Sequence, residues 1–386
     1  MKKIFAFAGI LLALGMGSAF AKKASDENKV KVVTTIFPEY DWVKEIVGEK
    51  AAEVELTLLL NNGVDLHSYQ PSVKDIAKIQ EADIFVYVGG ESDEWVDDVL
   101  KNVKSPNQKV INLLEVLGDR VKAEEIVEGM EHEHHHDEHG HDEHGHDEHG
   151  HDDHDGDHHD DHGHDHDEHE HEHDAHDGHH NDHDEHNSDK HEHHHVDDHN
   201  EHHHDHEEEL DEHVWLSLKN AQILTNAIAD ALCQADSKNA EVYRKNLASY
   251  NAKLSDLDSK YEAAVKAGSK NTLLFGDRFP FRYMVDDYGL KYYAAFTGCS
   301  AESEASFKTI AFLSEKVNEL GLNSVCQIES GNGKIAKTVI SNSKNKKAKV
   351  LTLDSLQSTT AKQIKKGATY YGAMEKNLEV LKEALR

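Results

Sequence analysis

Positive charge is scarce in this sequence. Its 386 residues include 41 Lys or Arg against 75 Asp or Glu, which gives a formal net charge of −34. Partners such as nucleic acid or anionic lipid require a basic surface, so the composition argues against both. The acidity is also local, because residues 131–209 hold 33 of the 75 acids and a single base, Lys190. The rest of the chain is nearly neutral.

Long apolar runs are equally scarce. The one candidate, residues 4–14, is too short to span a bilayer and follows two lysines. Small residues then lead to an Ala-x-Ala pattern at Ala19 and Ala21, which is typical of a cleaved export signal. We therefore predict a signal peptide over 1–21 and a mature protein in the periplasm. No cysteine directly follows the predicted signal, so a lipid anchor at that point is not expected.

Cysteine is also rare, with three in the whole chain. In an oxidising exported compartment Cys299 and Cys326 could form a disulfide bond, while Cys233 lies on a helical pattern and would stay a buried thiol. Three free thiols are an equally good interpretation, because spacing alone does not establish a bridge.

What the chain does contain is a regular alternation of short apolar runs and amphipathic stretches. From residue 29 onward, four strand-like runs such as "KVKVVTTIF" and "DIFVYVG" alternate with helical patterns. Strands separated by helices pair in parallel through helical crossovers. This predicts an N-terminal α/β lobe over 22–235.

The segment 131–209 interrupts this lobe. It carries 33 of the 35 histidines and almost no apolar residue. Such a composition cannot offset the entropy of ordering, so a disordered His/Asp/Glu-rich loop is expected. Histidine is largely neutral at pH 7 and offers ring nitrogens to metal, so we interpret the loop as an accessory that gathers or senses metal. A solubilising spacer would explain its acids but not its histidines.

Residues 236–268 predict one long amphipathic helix, capped by Asp236 or Ser237 and ended by Gly268. The alternation of strands and helices then resumes over 269–386. The predicted fold is therefore α/β, with two parallel-sheet lobes joined by one long rigid helix. A cleft between the lobes is the expected ligand site.

Two histidines lie outside the insert. His67 follows the second strand of the first lobe, where loops at strand ends line a ligand crevice, and His213 precedes the apolar run "VWLSL". Three carboxylates follow apolar runs in the second lobe, namely Asp277, Glu329 and Asp354. Imidazoles with carboxylates suit a divalent transition metal, although Asp at such a position more commonly caps the next helix.

Several segments together resemble the metal-binding proteins of zinc and manganese ABC importers, and most closely the ZnuA type. They include "GVDLHSYQPSVKDIAKIQEADIFVYVG", "HVWLSLKNAQ", "GCSAESEASFKTIAFL" and "VLTLDSL". The resemblance implies that His67, His213 and Asp354 ligate metal. It also places Arg278 where a third His is usual, and a cation cannot bind metal. Asp277, one residue away, or an imidazole of the insert are the candidates to complete the shell.

The resemblance implies that the chain is the zinc-binding component of an ABC importer, not an enzyme. It would be a monomer that captures Zn²⁺ between its lobes and delivers it to a membrane permease with its ATPase. Manganese or iron(II) as the cargo, and a periplasmic metal buffer without a transporter, are the alternatives. A zinc hydrolase would need a general base beside an open metal position, as on an HExxH helix. The letters HExxH occur only inside the histidine-rich insert, at 132–136, 169–173 and 191–195, and on none of the predicted helices.

Overall fold

Two parallel β-sheets of four strands each form the framework of the protein. The computed structural model describes residues 29–130, 209–300 and 304–386, so the predicted signal peptide, and the predicted insert except for Glu209, lie outside the described residues. The first sheet contains β1 (Val30–Thr34), β2 (Val54–Leu58), β3 (Ile84–Tyr87) and β4 (Lys109–Asn112). The second sheet contains β5 (Thr272–Phe279), β6 (Lys291–Thr297), β7 (Ser324–Ile328) and β8 (Lys349–Leu353).

The two sheets share one topology. The strand orders are β2-β1-β3-β4 and β6-β5-β7-β8, and every pairing is parallel. Strands of parallel sheets are covered on both faces, which is why β3 has the uninterrupted sequence IFVY and is buried at all four positions. In each sheet the strand ends, and the loops that leave them, meet at one edge. The predicted α/β fold with two parallel-sheet lobes is confirmed.

Helices surround the sheets and join them. The helices that accompany the first sheet are α1 (Phe37–Val47), α2 (Val73–Glu81), α3 (Trp95–Leu100), α4 (Leu113–Leu117) and α5 (Leu218–Ala235). The connecting helix is α6 (Ala240–Ala267). Those of the second half are α7 (Arg282–Tyr288), α8 (Phe307–Glu319), α9 (Lys334–Asn342), α10 (Ala361–Lys365) and α11 (Tyr370–Ala384). No helix in these described ranges is both long enough and apolar enough to cross a membrane.

The connecting helix α6 has 28 residues, a length of about 42 Å. It begins later than the sequence predicted, because residues 237–239 form a separate 3₁₀ turn. Asp236 does not cap the helix; its carboxylate accepts hydrogen bonds from Tyr243 Oη at 2.6 Å and Asn239 Nδ2 at 2.7 Å. Tyr261, near the other end of α6, donates to the carbonyl of Met374 in α11 at 2.6 Å. The helix is thus bonded at both ends.

One apolar core continues from the first half of the molecule into the second. Trp42 of α1 and Tyr370 of α11 are both fully buried and pack edge to face with ring centroids 5.1 Å apart. Beside them, Asp41 accepts a hydrogen bond from the backbone N–H of Tyr370 at 2.7 Å. The site described below therefore lies in a molecule whose two sheets are held together by packing and by buried polar contacts.

Candidate metal centre

His67 is held in place by a short turn after β2. Residues Leu66–Ser68 form a 3₁₀ turn, and Asp65 caps it by accepting a hydrogen bond from the N–H of His67 at 3.2 Å. The Nδ1 atom of His67 lies 2.7 Å from Ser92 Oγ and 3.4 Å from Glu212 Oε2. A partner on Nδ1 fixes the ring orientation and leaves Nε2 free to bind a metal.

His213 is held in the same manner but is completely buried. Asp211 Oδ1 lies 2.9 Å from His213 Nδ1 and accepts a hydrogen bond from the backbone N–H of His213 at 2.8 Å. The next turn carries Trp215, whose indole N–H donates to the carbonyl of Ser355 at 2.9 Å. Through Trp215, the position of His213 is tied to the loop that follows β8.

The two histidines meet although they are 146 positions apart in sequence. Their Nε2 atoms lie 3.2 Å apart, and the rings pack edge to face. Two nitrogens bound to one tetrahedral zinc ion at about 2.0–2.1 Å lie about 3.3 Å apart. The observed spacing of the two nitrogens is close to this distance.

A third potential ligand, Cys299, comes from the end of β6. A ring nitrogen of each histidine and the Cys299 sulfur all lie within 4.8 Å of one another, and this is the one such group of three within the described residues. All three cysteines of the chain are free. Of the two interpretations that the sequence left open, the disulfide bond between Cys299 and Cys326 is therefore wrong. Cys326 lies in the buried core on β7, whereas Cys299 lies at the cleft.

Arg278 occupies the position where the resemblance led us to expect an imidazole, and its guanidinium serves another purpose. Nη2 donates to Asp65 Oδ2 at 2.9 Å, and Nη1 donates to the carbonyl of Ser300 at 3.2 Å. The neighbouring Asp277 accepts hydrogen bonds from the N–H groups of Arg278 and Ile328 at 2.9 and 3.2 Å. Its carboxylate is thus engaged by the backbone and is not a member of the His67, His213 and Cys299 group.

The carboxylates of the last two strands are also engaged locally. Asp354 Oδ1 accepts from the N–H of Leu356 at 2.9 Å, and burial, followed by the charge of Glu329, raises its pKa to about 6. Glu329 accepts from the N–H of Ser355 at 2.7 Å and from two hydroxyl groups. Neither carboxylate joins the group of three in the described part of the chain.

The loop after β8 nevertheless reaches the histidines through Gln357. With its amide oriented to satisfy both neighbours, Gln357 donates to Asp65 Oδ2 at 2.7 Å and accepts from His213 Nε2. The preceding residue, Leu356, has a φ of 64°, a left-handed conformation that is costly for a side chain of this size. A metal on His213 Nε2 would have to displace the Gln357 amide.

Negative charge surrounds the histidines. Burial alone would raise the pKa of Glu212, but hydrogen bonds from His67 and Ser92 hold it below the usual value for glutamate. Burial lowers the pKa of His213, yet Asp211, Glu212 and Asp65 outweigh that effect and raise it. Burial and the charge of nearby acids raise the pKa of the Cys299 thiol. The site thus has a potential that favours a cation.

A cavity of about 280 Å³ leads to the site. It is lined by His67 and Cys299 together with acidic residues, among them Glu91, Glu209 and Glu212. Glu209 is the last residue of the predicted insert and the one residue of it that the structure describes, and its carbonyl accepts a hydrogen bond from the N–H of Glu124 at 2.7 Å. The chain therefore returns from the insert at the entrance to the candidate metal centre.

The chain is similar over nearly its whole length to a family of known proteins. The family model for ZnuA, "Zinc-uptake complex component A periplasmic", matches residues 32–384. The chain belongs to the ZnuA family. The zinc-binding protein AdcA of Streptococcus pyogenes serotype M3 is 32% identical over 380 residues, which cover 97% of this chain and 61% of AdcA. The chain thus spans about three fifths of that relative's length.

A curated protein and a solved structure, both from Bacillus subtilis, match over nearly their whole length. The high-affinity zinc uptake system protein ZnuA of Bacillus subtilis is 28% identical, covering 97% of this chain and 94% of its own. The crystal structure of the metal-dependent lipoprotein YcdH from Bacillus subtilis is 25% identical with a TM-score of 0.61, covering 92% and 99% of the two chains. The YcdH structure thus shares this fold over nearly its whole length.

Proposed function

We propose that this protein is the periplasmic zinc-binding component of an ABC importer and that His67 and His213 hold the captured ion. The observation that carries the proposal is the 3.2 Å separation of their Nε2 atoms, which suits two ligands of one zinc ion. Each ring is oriented by a separate acidic or hydroxyl partner, as is usual for metal-binding histidines. The names of the relatives, which refer to zinc binding and zinc uptake, support the same cargo.

A solute-binding role also fits the surroundings of the site. The ligands lie between the two halves of the molecule and are reached through an acidic cavity, an arrangement that captures a cation and performs no reaction on it. The second half would contribute the carboxylate of Asp354, as the resemblance implies, or that of Asp277, the neighbour of Arg278, after a shift of the segments that now engage them. Delivery would go to a membrane permease and its ATPase, with the binding protein acting as a monomer.

Zinc titration against a competing chelator tests this proposal. The metal-stripped protein should bind one zinc ion tightly and should prefer it to manganese. His67→Ala and His213→Ala should each abolish the tight site, whereas His195→Ala, within the insert, should leave its affinity unchanged. Equal effects of all three substitutions, or a tight site that survives both cleft substitutions, would overturn the proposal.

Import itself requires a cellular measurement. Cells that lack the gene should recover zinc-limited growth and zinc uptake when the wild-type chain is supplied, but not when the His67→Ala variant is supplied at equal abundance. A chain that binds zinc tightly yet restores no uptake would support the buffer alternative instead.

A further inference from the structure

We infer that Cys299 is a metal ligand of this site and that its thiolate determines the preference for zinc over manganese. The inference rests on the proposed function, because it supplies a third ligand to the ion that His67 and His213 hold. It also supplies the third ligand that is missing because Arg278 stands where the resemblance leads us to expect a histidine.

The geometry brings the sulfur within reach of the same ion. The Cys299 sulfur lies within 4.8 Å of a ring nitrogen of both histidines. With zinc–sulfur and zinc–nitrogen bonds of about 2.3 and 2.1 Å, the ligand atoms of a tetrahedral site lie about 3.6 Å apart. A movement of about 1.2 Å or less therefore completes a site with two nitrogens and one sulfur.

The backbone around Cys299 is anchored on both sides. Its own N–H donates to Glu124 Oε1 at 2.8 Å, and the carbonyl of the next residue, Ser300, accepts from Arg278 Nη1 at 3.2 Å. Arg278, which cannot bind metal itself, thus acts as a positioning residue for the segment that carries the sulfur. Supporting contacts of this kind hold a metal ligand in its orientation before the metal binds.

The residue before Cys299 provides an independent observation. A Cβ atom on Gly298 would lie 2.9 Å from His213 Cε1 and 3.0 Å from the carbonyl oxygen of Phe279. Only glycine allows the backbone to run this close to the His213 ring. The close approach places the following side chain beside the two histidines.

The other two cysteines differ from Cys299 in their surroundings. Cys233 and Cys326 lie among apolar side chains of the core. Cys299 instead lines the acidic cavity together with His67. A thiolate is a soft ligand that suits zinc and disfavours manganese, whereas the harder carboxylates accept manganese. Cys299 is therefore the residue in this centre that would discriminate between the two metals.

Cobalt(II) titration of the full chain tests the inference, because only a cysteine ligand produces a sulfur-to-cobalt charge-transfer band. We expect this band in the wild type and in Cys233→Ser, and expect it to be absent in Cys299→Ser. Zinc affinity should fall by more than about 100-fold in Cys299→Ser, beyond the roughly 10–100-fold typical of a lost supporting contact. Cys299→His should bind zinc more tightly than Cys299→Ser does, but its ratio of zinc affinity to manganese affinity should be smaller than that of the wild type.

A second measurement does not depend on the folding of a variant. X-ray absorption of the wild type at one equivalent of zinc should show one sulfur neighbour at about 2.3 Å. A tight site that needs His67 but shows neither sulfur neighbour nor charge-transfer band would overturn this inference and leave the proposed function intact. A wild type without any tight site would overturn the proposed function itself.

Discussion

Arg278 Nη2 and Asp65 Oδ2 lie 2.9 Å apart, and this ion pair joins strand β5 of the second sheet to the loop that carries His67. Both side chains are largely shielded, with exposed fractions of 16% and 19%. A pair so shielded is screened less by solvent than an ion pair on the open surface. It therefore connects the two halves of the metal centre directly and fixes the approach of His67 to the second sheet.

Replacement of Arg278 should lower the stability of the metal-free protein. Arg278→Met removes the partner of Asp65 and the donor to Ser300, and we expect a loss of about 1–2 kcal/mol in the free energy of unfolding. Urea denaturation with a chelator present measures this. Lys334→Met is the control, because its pair with Glu304 is exposed by 72% and 82% and should contribute nothing measurable. Equal losses in both variants would contradict the prediction.

Arg278→Met should also lower zinc affinity, because the segment that carries Cys299 loses one of its two anchors. Arg282→Met is the matched comparison. Arg282 is similarly shielded, with 21% of its side chain exposed, and bonds Glu125 and Asp286 at 3.0 and 2.6 Å. Its loss should affect stability but not zinc affinity. Unchanged zinc binding in Arg278→Met would show that the arginine only supports the fold.

Most of the fold could be predicted from the sequence, because the signals that define it are local. The apolar run at 84–87 becomes a buried strand, and Thr369 caps α11 by accepting a hydrogen bond from the N–H of Gly372. The start of α6 was less predictable. Residues 237–239 form a 3₁₀ turn because Asp236 bonds Tyr243 and Asn239, which a helical pattern does not reveal.

The candidate site could be predicted only in part. His67 was identifiable because it follows a strand of a parallel sheet, and the same rule selected Asp277 and Asp354. It applies equally to Cys299, which lies two residues after the end of β6, but that residue was considered only as a disulfide partner. Asp277 in fact lies within β5, and which of these side chains turns into the cleft depends on backbone hydrogen bonds such as that from the N–H of Ile328 to Asp277. Those contacts arise only in the folded chain.

Removal of the insert should lower the number of zinc ions bound without removing the tight site. The replacement should span 131–208 and use a short glycine–serine linker. Residues 122–124 pair with 209–211, including a hydrogen bond from the N–H of Asp211 to the carbonyl of Lys122 at 2.8 Å, and these must be kept. Calorimetry should show one tight site in both proteins and additional weak sites only in the full chain. Loss of the tight site would assign an essential ligand to the insert.

The buried carboxyl of Asp41 should make stability depend on pH. Burial raises its pKa from 3.8 to about 6, although the N–H of Tyr370 partly offsets this. Between pH 4 and 6 the folded state therefore binds more protons than the unfolded state, and stability falls as pH rises. Asp41→Asn cannot ionise and should lose this slope. Its stability relative to the wild type should rise by up to about 3 kcal/mol from pH 4 to 7.

Denaturation at a series of pH values measures the Asp41 effect. The exposed Glu49→Gln substitution serves as the control and should leave the pH profile unchanged. Parallel pH profiles for the wild type and Asp41→Asn would show that the carboxyl is not protonated in the folded protein near pH 5.

Gly298→Ala separates damage to the metal centre from damage to the fold. The added methyl group would lie 2.9 Å from His213 Cε1, so either the imidazole or the segment carrying Cys299 must move. Gly268→Ala is a close match, because its methyl group would also lie 2.9 Å from its nearest neighbour, Leu385 Cβ, at the end of α6. Such crowding costs about 1–3 kcal/mol of stability, and both variants should show it.

Zinc affinity should distinguish these two glycine variants. We expect Gly298→Ala to bind zinc at least about 10-fold more weakly, which is the scale of effect when a ligand loses its support. Gly268→Ala should keep the wild-type affinity, since none of its close neighbours supports a ligand. If both variants bind zinc as the wild type does, then the close approach of residue 298 to the His213 ring has no role in metal binding. The case for Cys299 would then depend on the proximity of its sulfur alone.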